Sequence, residues 1–506
     1  MNHRPTLSVR PPAGRAGLIA LVALTALAAG PASAPDDSPA LVLQRLLADT
    51  TTADAALAAL TATGDKELLP IFAAVAASSK SDPARRMLAV AAAAKLAGPD
   101  AADILLDRLR RDDATEVRTE ALVQLIAAKA ISPEQLTELL ASPDTTLQCL
   151  AARALVRAGQ PYSALTTLRN LTGATDPAAA SLARITLLAT GEADQLAPLT
   201  QAMSDRTVPP RLLAMVLAQI GEDKITSAVD LAKQIAASTD SLPMKVRAYR
   251  AAAAAAGANG PALLADAIAA SPQTVLRVQL LHALADLPDS RILVEDLSHG
   301  DDAVAALARL EVARLAAAPG AVEQAACQAV ALSHAVVIDY CLDRARQDIA
   351  ARPEQANAYT PALIAILRSV SVDSSVMLEE HTQAAQAAEL LGELANDQAA
   401  QTLTAILSGD YNALTRAVAA GMLRCKNKAV CQWMAPLLAS PYEELSTDAA
   451  LTLAQHGAPQ AAGALQTILR QSRHNPPELT ALAAWYLAKL SGQAAPTVTT
   501  ATEAAK

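Results

Sequence analysis

Aromatic side chains are nearly missing from this 506-residue chain: they make up 2% of it, with a single Phe. Surfaces that stack nucleic-acid bases need aromatic rings, so their scarcity disfavours single-stranded DNA or RNA as a ligand. The formal net charge of −9, from 41 basic and 50 acidic side chains, also argues against a phosphate-binding surface. Alternating runs of Val, Ile, Thr and aromatic residues are lacking, which excludes a β-rich fold. We therefore expect an all-α protein with no nucleic-acid partner.

Motifs of the common catalytic sites are lacking too. The chain contains no HExxH zinc motif, no P-loop, no GxSxG elbow and no His-Glu dipeptide. The densest set of possible metal ligands, residues 379–381 (Glu-Glu-His), consists of adjacent helical residues that point in different directions. A turn with a helix cap explains residues 298–302 (SHGDD), and solvation explains the basic turn 424–428. We predict no catalytic, cofactor-binding or metal-binding residue, and a protein that is not an enzyme.

Long apolar runs are few, and the one near the N-terminus is short. Three arginines precede an apolar run over residues 18–29, and the small-x-small sequence 32–34 follows it. This order is typical of a signal peptide over residues 1–34, removed by cleavage after Ala34, Ala32 or Ala29. An uncleaved signal anchor is the alternative. No later stretch is long and apolar enough to span a bilayer, so we expect an exported protein without an integral span after cleavage.

Only five cysteines are present, and in an oxidising compartment cysteines can pair as disulfides. Cys327 and Cys341 are equidistant from a predicted helix–helix turn near residue 334, and Cys425 and Cys431 flank a second predicted turn. We hypothesise that each pair forms a disulfide across one helical hairpin, with Cys149 left as a buried thiol. Five buried free thiols are the alternative interpretation. None of the spacings is that of a zinc site.

Alanine is abundant, at about a quarter of the chain, and Ala-rich apolar runs recur about every 31 residues. Each repeat begins with a polar residue or Pro, continues as an apolar run, breaks at Gly, Pro or Asn, and ends in a second apolar run. Asp and Ser cap helix starts, Pro is tolerated in a first turn, and Gly ends helices. The pattern predicts an α-solenoid of about 12–13 stacked antiparallel helix pairs. The predicted repeat starts are Asp82, Asp113, Asp144, Asp176, Asp205, Asp240, Pro272, Asp302, His334, Asp373, Asp410 and Pro441, with a partial repeat near Pro476.

Four segments follow from this periodicity. Residues 1–34 are the predicted signal peptide, and 35–80 are predicted to form irregular helices that cap the stack with a polar outer face. The regular repeats occupy 81–490. Residues 491–506 lose the apolar period, and we predict that they form a disordered tail.

The repeats resemble HEAT repeats, in particular the short bacterial type first described in phycobilisome lyases. Residues 113–122 (DATEVRTEAL) follow that family's pattern Asp-x-x-Val-Arg-x-x-Ala-x-x-Ala in residue type and nearly in spacing. Asp113 and Arg118 occupy its Asp and Arg positions, and Arg247 belongs to a partial match. The resemblance covers about residues 80–490 and implies that these three side chains link neighbouring repeats. Contact with a ligand on the concave face is the alternative role for the two arginines.

The resemblance also implies a protein that binds other proteins. The helical spacing of Trp433 and Trp485, the only two tryptophans, fits core positions better than exposed anchors. We predict an exported scaffold or adaptor that binds a protein partner through its solenoid surface, without catalysis. The negative net charge favours a basic or neutral partner. An accessory or small-molecule-binding component of an enzyme and a passive envelope protein are the two alternatives.

Overall fold

The computed structural model describes residues 38–204, 208–370 and 378–492, whose regular secondary structure is entirely helical, with no strand. The predicted signal peptide, the repeat starts at Asp205 and Asp373, and nearly all of the predicted tail lie outside these residues. No helix in the described ranges is long and apolar enough to cross a membrane. The α-helices, in chain order, are α1 (Pro39–Ala48), α2 (Ala53–Ala62), α3 (Leu69–Ala77), α4 (Pro83–Ala97), α5 (Ala102–Arg111), α6 (Thr115–Ala127), α7 (Pro133–Leu139), α8 (Thr145–Arg157), α9 (Pro161–Leu171), α10 (Pro177–Ala189), α11 (Leu196–Met203), α12 (Pro210–Glu222), α13 (Val229–Ser238), α14 (Leu242–Ala256), α15 (Gly260–Ala270), α16 (Thr274–Ala285), α17 (Arg291–Leu297), α18 (Ala303–Leu315), α19 (Pro319–Val330), α20 (Ala335–Ala351), α21 (Pro353–Ala356), α22 (Thr360–Ser369), α23 (Leu378–Leu394), α24 (Asp397–Leu407), α25 (Ala413–Met422), α26 (Val430–Met434), α27 (Glu443–Gln455), α28 (Ala462–Arg470) and α29 (Pro477–Leu490).

The predicted repeat starts within these ranges lie at the starts of helices. Asp82, Asp144, Asp176 and Asp302 are N-caps whose carboxylates accept hydrogen bonds from backbone N–H groups of the first turn, at 2.8 Å for Asp82 and Arg85. A carboxylate there satisfies donors that the helix leaves free and favours the positive end of its dipole. The period read from the sequence is therefore the repeat of the fold, and the predicted α-solenoid is confirmed.

The helices form two concentric layers. An outer helix packs between consecutive inner helices, and each inner helix packs on the next. The short α21 lies in the connection between α20 and α22. Inner helices are α2, α4, α6, α8, α10, α12, α14, α16, α18, α20, α23, α25, α27 and α29, and outer helices are α1, α3, α5, α7, α9, α11, α13, α15, α17, α19, α22, α24, α26 and α28.

Small side chains let the inner helices pack closely. A Cβ atom added at Gly221 of α12 would lie 3.3 Å from the Ala251 Cα of α14. The α14 sequence ends in six alanines, Ala251–Ala256, of which four are buried. Helices on the inside of a curve have less room than those outside, so alanine belongs in the inner layer. The abundance of alanine is thus a consequence of the curvature.

The two ends of the chain meet. The C-terminal inner helix α29 packs on α27 and α28 from one side and on α1 and α2 from the other. Asp65, in the turn after α2, accepts hydrogen bonds from Trp485 Nε1 at 3.2 Å and from Lys489 Nζ at 2.7 Å. Trp485 is buried, as are Leu43 of α1 and Leu57 of α2. We call this contact between α29 and α1–α2 the seam, and it closes the solenoid into a ring.

The seam also completes a repeat. In the described residues, thirteen helix pairs follow one another from α2–α3 to α27–α28, which agrees with the 12–13 pairs predicted. The fourteenth pair joins α29, at the C-terminal end, with α1, at the N-terminal end, because α1 lies between α29 and α2 where an outer helix belongs. The polar cap predicted for residues 35–80 is therefore not what the structure shows. Helices α1–α3 bury their apolar faces as repeat helices do, and no polar end face is needed in a closed ring.

Candidate functional site

Ion pairs that skip one inner helix identify the concave face of the ring. Arg153 and Arg157 of α8 bond Glu222, at the end of α12, at 2.9 and 2.8 Å, across α10. Arg344 of α20 bonds Asp286, just after α16, at 2.7 Å across α18. Helices two repeats apart approach each other only on the inside of a curve. The side chains that share a helical face with these residues therefore point into the ring.

On α12 and α14 the concave face is a stripe of four positions. Arg211, Met215 and Ala218 share a face with Glu222, because the spacing of four, three and four residues returns to one side of a helix. Gly221 of α12 packs against Ala251 and Ala254 of α14. Each α12 residue therefore lies beside the α14 residues that come 30 to 33 positions later in the chain. The matching stripe on α14 is Pro243, Arg247, Arg250 and Ala254.

Three arginines of this stripe have no partner. Arg211, Arg247 and Arg250 are exposed, and no described residue forms an ion pair or a hydrogen bond with their side chains. Every other arginine on an inner helix, within the described ranges, binds a carboxylate or a backbone carbonyl. Those arginines are Arg85, Arg86, Arg118, Arg153, Arg157, Arg184, Arg277, Arg309, Arg314, Arg344, Arg346 and Arg416.

Asp113 and Arg118 link neighbouring repeats. The Asp113 carboxylate accepts a hydrogen bond from Arg86 of the preceding inner helix at 2.6 Å, and the Arg118 Nε donates to the carbonyl of Leu109 in α5 at 3.2 Å. Gln148 substitutes for arginine in the next repeat and donates to the Ser142 carbonyl at 2.7 Å. The common function of this position is to satisfy carbonyls at the end of the preceding outer helix.

Arg247 does not take part in this linkage, so the inter-repeat role predicted for it is wrong. Arg247 lies on the concave stripe of α14. Arg118 lies off the corresponding stripe of α6 and bonds the Leu109 carbonyl of the neighbouring outer helix. The residue of α14 that is equivalent to Arg118 is Lys245. The partial sequence match around Arg247 thus had the wrong helical register.

A buried ion network joins α18 and α20 and was not found from the sequence. Glu311, 1% exposed, accepts hydrogen bonds from Tyr340 Oη at 2.6 Å, Arg344 Nε at 2.7 Å and Arg314 at 2.6 Å. Asp348 accepts two more from Arg314 at 2.8 and 2.7 Å. Each charge has several partners, as a buried charge requires. The sequence signal, Glu311 three residues before Arg314, is indistinguishable from an exposed helical ion pair.

Burial and pairing shift the pKa values around this network. Although burial favours its neutral form, the neighbouring His282 and the hydrogen bond from Arg344 hold the pKa of Asp286 well below its usual range. Burial, together with the charge of Glu311, raises the pKa of Tyr340 well above its usual range. The Asp286 carboxylate therefore stays charged and the Tyr340 phenol stays neutral near neutral pH. The network acts as a fixed brace between repeats.

The cysteines are free thiols in this structure. Burial raises the pKa of Cys149, Cys341 and Cys425 to about 12, so these thiols are poor nucleophiles at neutral pH. The predicted disulfides, Cys327 with Cys341 and Cys425 with Cys431, stay a prediction for the oxidised protein. Counting the reactive thiols of denatured, unreduced protein tests it.

The two tryptophans lie in the core, and His299 lies in a turn. Trp433 is 7% exposed and Trp485 1%, and Trp485 serves the seam. His299 contacts the Asp296 carbonyl at 3.3 Å, in the turn that leads to the N-cap Asp302. The side chains of residues 379 and 380 lie outside the described ones. No group of three or more possible metal ligands occurs in the parts of the chain that are described.

A family model supports the fold assignment over part of the chain. The family model for HEAT repeats matches residues 39–126, which confirms the resemblance seen in the sequence and extends it to α1–α3. No curated protein sequence is significantly similar to this chain. A crystal structure of Kap121p is similar at 14% identity and a TM-score of 0.38, over 89% of this chain and 56% of Kap121p. A structure of Kap95p with RanGDP has the same identity and TM-score, over 90% of this chain and 77% of that one.

The chain spans about half the length of Kap121p, which has also been solved bound to Ste12p. At these identities and TM-scores the likeness assigns no function to this chain. The class that the fold itself defines is an α-solenoid closed into a ring, whose residues 39–126 match the HEAT-repeat model.

Proposed function

We propose that this protein is an exported scaffold that binds a partner protein on the concave face of its ring, without catalysis. The observation that carries the proposal is the set of uncommitted side chains on that face. An inner helix is covered by its two inner neighbours and by outer helices, so an exposed side chain in its middle faces the inside of the ring. Leu88 of α4 is 50% exposed and Val123 of α6 39% exposed, and they add apolar contacts to the unpaired arginines.

A ring suits such a role. Repeats stacked side by side offer one continuous surface on which many small contacts add up to affinity. The ion pairs across α10 and α18 and the seam fix the curvature of that surface. A surface fixed before binding loses less conformational entropy when a partner binds.

Site-specific photo-crosslinking in the native host tests this proposal. A photoreactive phenylalanine analogue replaces Leu88 on the concave face or Ile292, which is 72% exposed on the outer helix α17. We expect one recurrent protein adduct from position 88 and none of that size from position 292. The same adducts from both positions, or none from position 88, would contradict binding on the concave face.

Export is a separate part of the proposal and rests on the N-terminal sequence. The order of three arginines, an apolar run and small residues 32–34 supports it. We expect fractionated cells to contain the protein outside the cytoplasm, with an N-terminus created after Ala29, Ala32 or Ala34. Recovery in the cytoplasm with an intact N-terminus would contradict export.

A further inference from the structure

Arg211, Arg247 and Arg250 form a patch that we call the arginine strip. One helical turn, about 5 Å, separates Arg247 from Arg250, and α12 and α14 pack at about 8–10 Å. The register of the two helices places Arg211 beside residues 241–244, one turn from Arg247. The three residues therefore lie along one inclined line on the concave face.

The nearby acidic groups on the concave side are already occupied. Glu222 and Asp223 pair with Arg153 and Arg157, at the α10 side of the strip. Asp286 pairs with Arg344 and lies near His282, at the α18 side. Lys245 beside the strip is also basic, and Asp240, which precedes α14, is the one acidic residue near it that pairs with no described residue. The strip is thus a positive patch between two neutralised clusters.

Among the arginines of the described inner helices, the three of the strip are the ones that lack a partner in the described part of the chain. Acidic residues outnumber basic ones, 50 to 41, so carboxylates are not scarce in this chain. The other arginines of these helices all have partners, while three neighbouring ones, all in the concave stripe, have none. An exposed arginine without a partner keeps five N–H donors available for a ligand.

We propose that the arginine strip binds a short, carboxylate-rich segment of the partner protein. The inference rests on the proposed function and names the chemistry of its partner. A guanidinium group binds a carboxylate through two parallel hydrogen bonds, which makes arginine well suited to such a segment. Three cations in a line match a short run of Asp and Glu side chains. Polyphosphate binding draws on many cationic contacts and, in single strands, on stacked aromatic rings, and the strip offers neither.

The strip reverses the expectation from the net charge. A total charge of −9 predicts a basic or neutral partner at long range. At contact distance, screening by salt limits each charge to its surroundings, about 8 Å at physiological ionic strength. The local charge of the strip therefore selects the segment that binds there.

Fluorescence anisotropy with labelled hexaglutamate tests the inference. The purified protein is compared with a strip variant, Arg211→Ala/Arg247→Ala/Arg250→Ala, at low and at physiological salt. The matched control, Arg110→Ala/Arg291→Ala/Arg470→Ala, removes three exposed arginines from outer helices, where no described residue pairs with them. We expect saturable binding that the strip variant weakens at least about tenfold and the control about twofold or less, with binding weaker in salt. All six side chains are exposed, so both variants should keep the parent's thermal midpoint.

Several outcomes would overturn the inference. They are no binding of hexaglutamate, an equal loss in both variants, tighter binding of labelled hexalysine, or tighter binding of a six-residue oligothymidylate. The photo-crosslink at position 88 separates this failure from that of the scaffold role. If the adduct at position 88 persists while hexaglutamate does not bind, the scaffold role stands and only the acidic segment is wrong.

Discussion

Glu311 shows what single side chains contribute to the ring. Its carboxylate accepts hydrogen bonds from three donors and is only 1% exposed, so removing its charge leaves Arg314 and Arg344 buried with one partner fewer. We expect Glu311→Gln to cost about 3 kcal/mol, equivalent to roughly a hundredfold faster amide hydrogen exchange in α18 and α20. Glu116→Gln, at an exposed position of α6, is the control and should leave exchange unchanged. Equal exchange in both variants would show that the network does not brace these helices.

Asp448 gives the ring a dependence on pH. Burial, and next the charge of Glu444, raise the pKa of this α27 carboxyl to about 7, although part of its surface stays accessible. A carboxyl whose pKa is higher in the folded than in the unfolded state binds its proton more tightly in the folded state. The free energy of unfolding therefore falls as the pH rises from about 4 to about 7.

Asp448→Asn removes this penalty. We therefore expect the variant to have a higher thermal midpoint than the parent at pH 8 and the same midpoint at pH 4. Asp266→Asn, at an exposed position of the outer helix α15, should differ from the parent at neither pH. A parallel pH profile for the parent and Asp448→Asn would contradict the raised pKa.

The sequence predicted some residue roles and missed others for a physical reason. Asp113 and Arg118 bond within one repeat of their own position, so a repeat motif carries the information. The buried network of Glu311 and the lack of a partner for Arg211 depend on which side chains a neighbouring helix supplies, and composition does not record that. Arg247 was misassigned because a Val-Arg dipeptide does not fix the helical register.

At the scale of helices, close packing of the inner layer depends on glycine at one crossing. A Cβ at Gly421 of α25 would collide with the Ala385 carbonyl oxygen of α23. We expect Gly421→Ala to lower the stability by about 2 kcal/mol, because the clash outweighs the helix propensity of alanine. Gly463→Ala on the outer helix α28 meets nothing within 4 Å and should be neutral or slightly stabilising. Thermal midpoints of the two variants check this, and equal midpoints would show that the crossing is loose.

Helix positions were the most predictable feature of the fold. Caps and prolines at residues such as Asp82, Asp144 and Asp302 act locally, so the sequence marks them directly. Which helices form the inner layer was not predicted from the sequence. Within the described residues, the predicted repeats correspond to twelve of the thirteen contiguous pairs, α4–α5 to α27–α28, and the thirteenth, α2–α3, lies in the segment predicted as a cap.

Closure belongs to the whole molecule and was not predictable from repeat periodicity. Each repeat is rotated by a small angle relative to the one before it. Whether the two ends of the chain meet depends on the sum of these rotations over all repeats. The seam residues carry no repeat signature: Asp65 and Lys489 are 424 positions apart and each fits a surface position of its own helix or turn. A periodic pattern predicts an open superhelix and a ring equally well.

Zero-length carbodiimide cross-linking of the dilute protein tests closure most directly. The reagent converts an ion pair into an amide, and Lys489 Nζ lies 2.7 Å from Asp65 and 3.5 Å from Glu67. The local pair Lys233–Asp230, at 3.5 Å, serves as an internal control. A closed ring predicts linked peptides joining Lys489 to Asp65 or Glu67 within the monomer. The Lys233–Asp230 link without any seam link, or seam links confined to dimers, would contradict the ring.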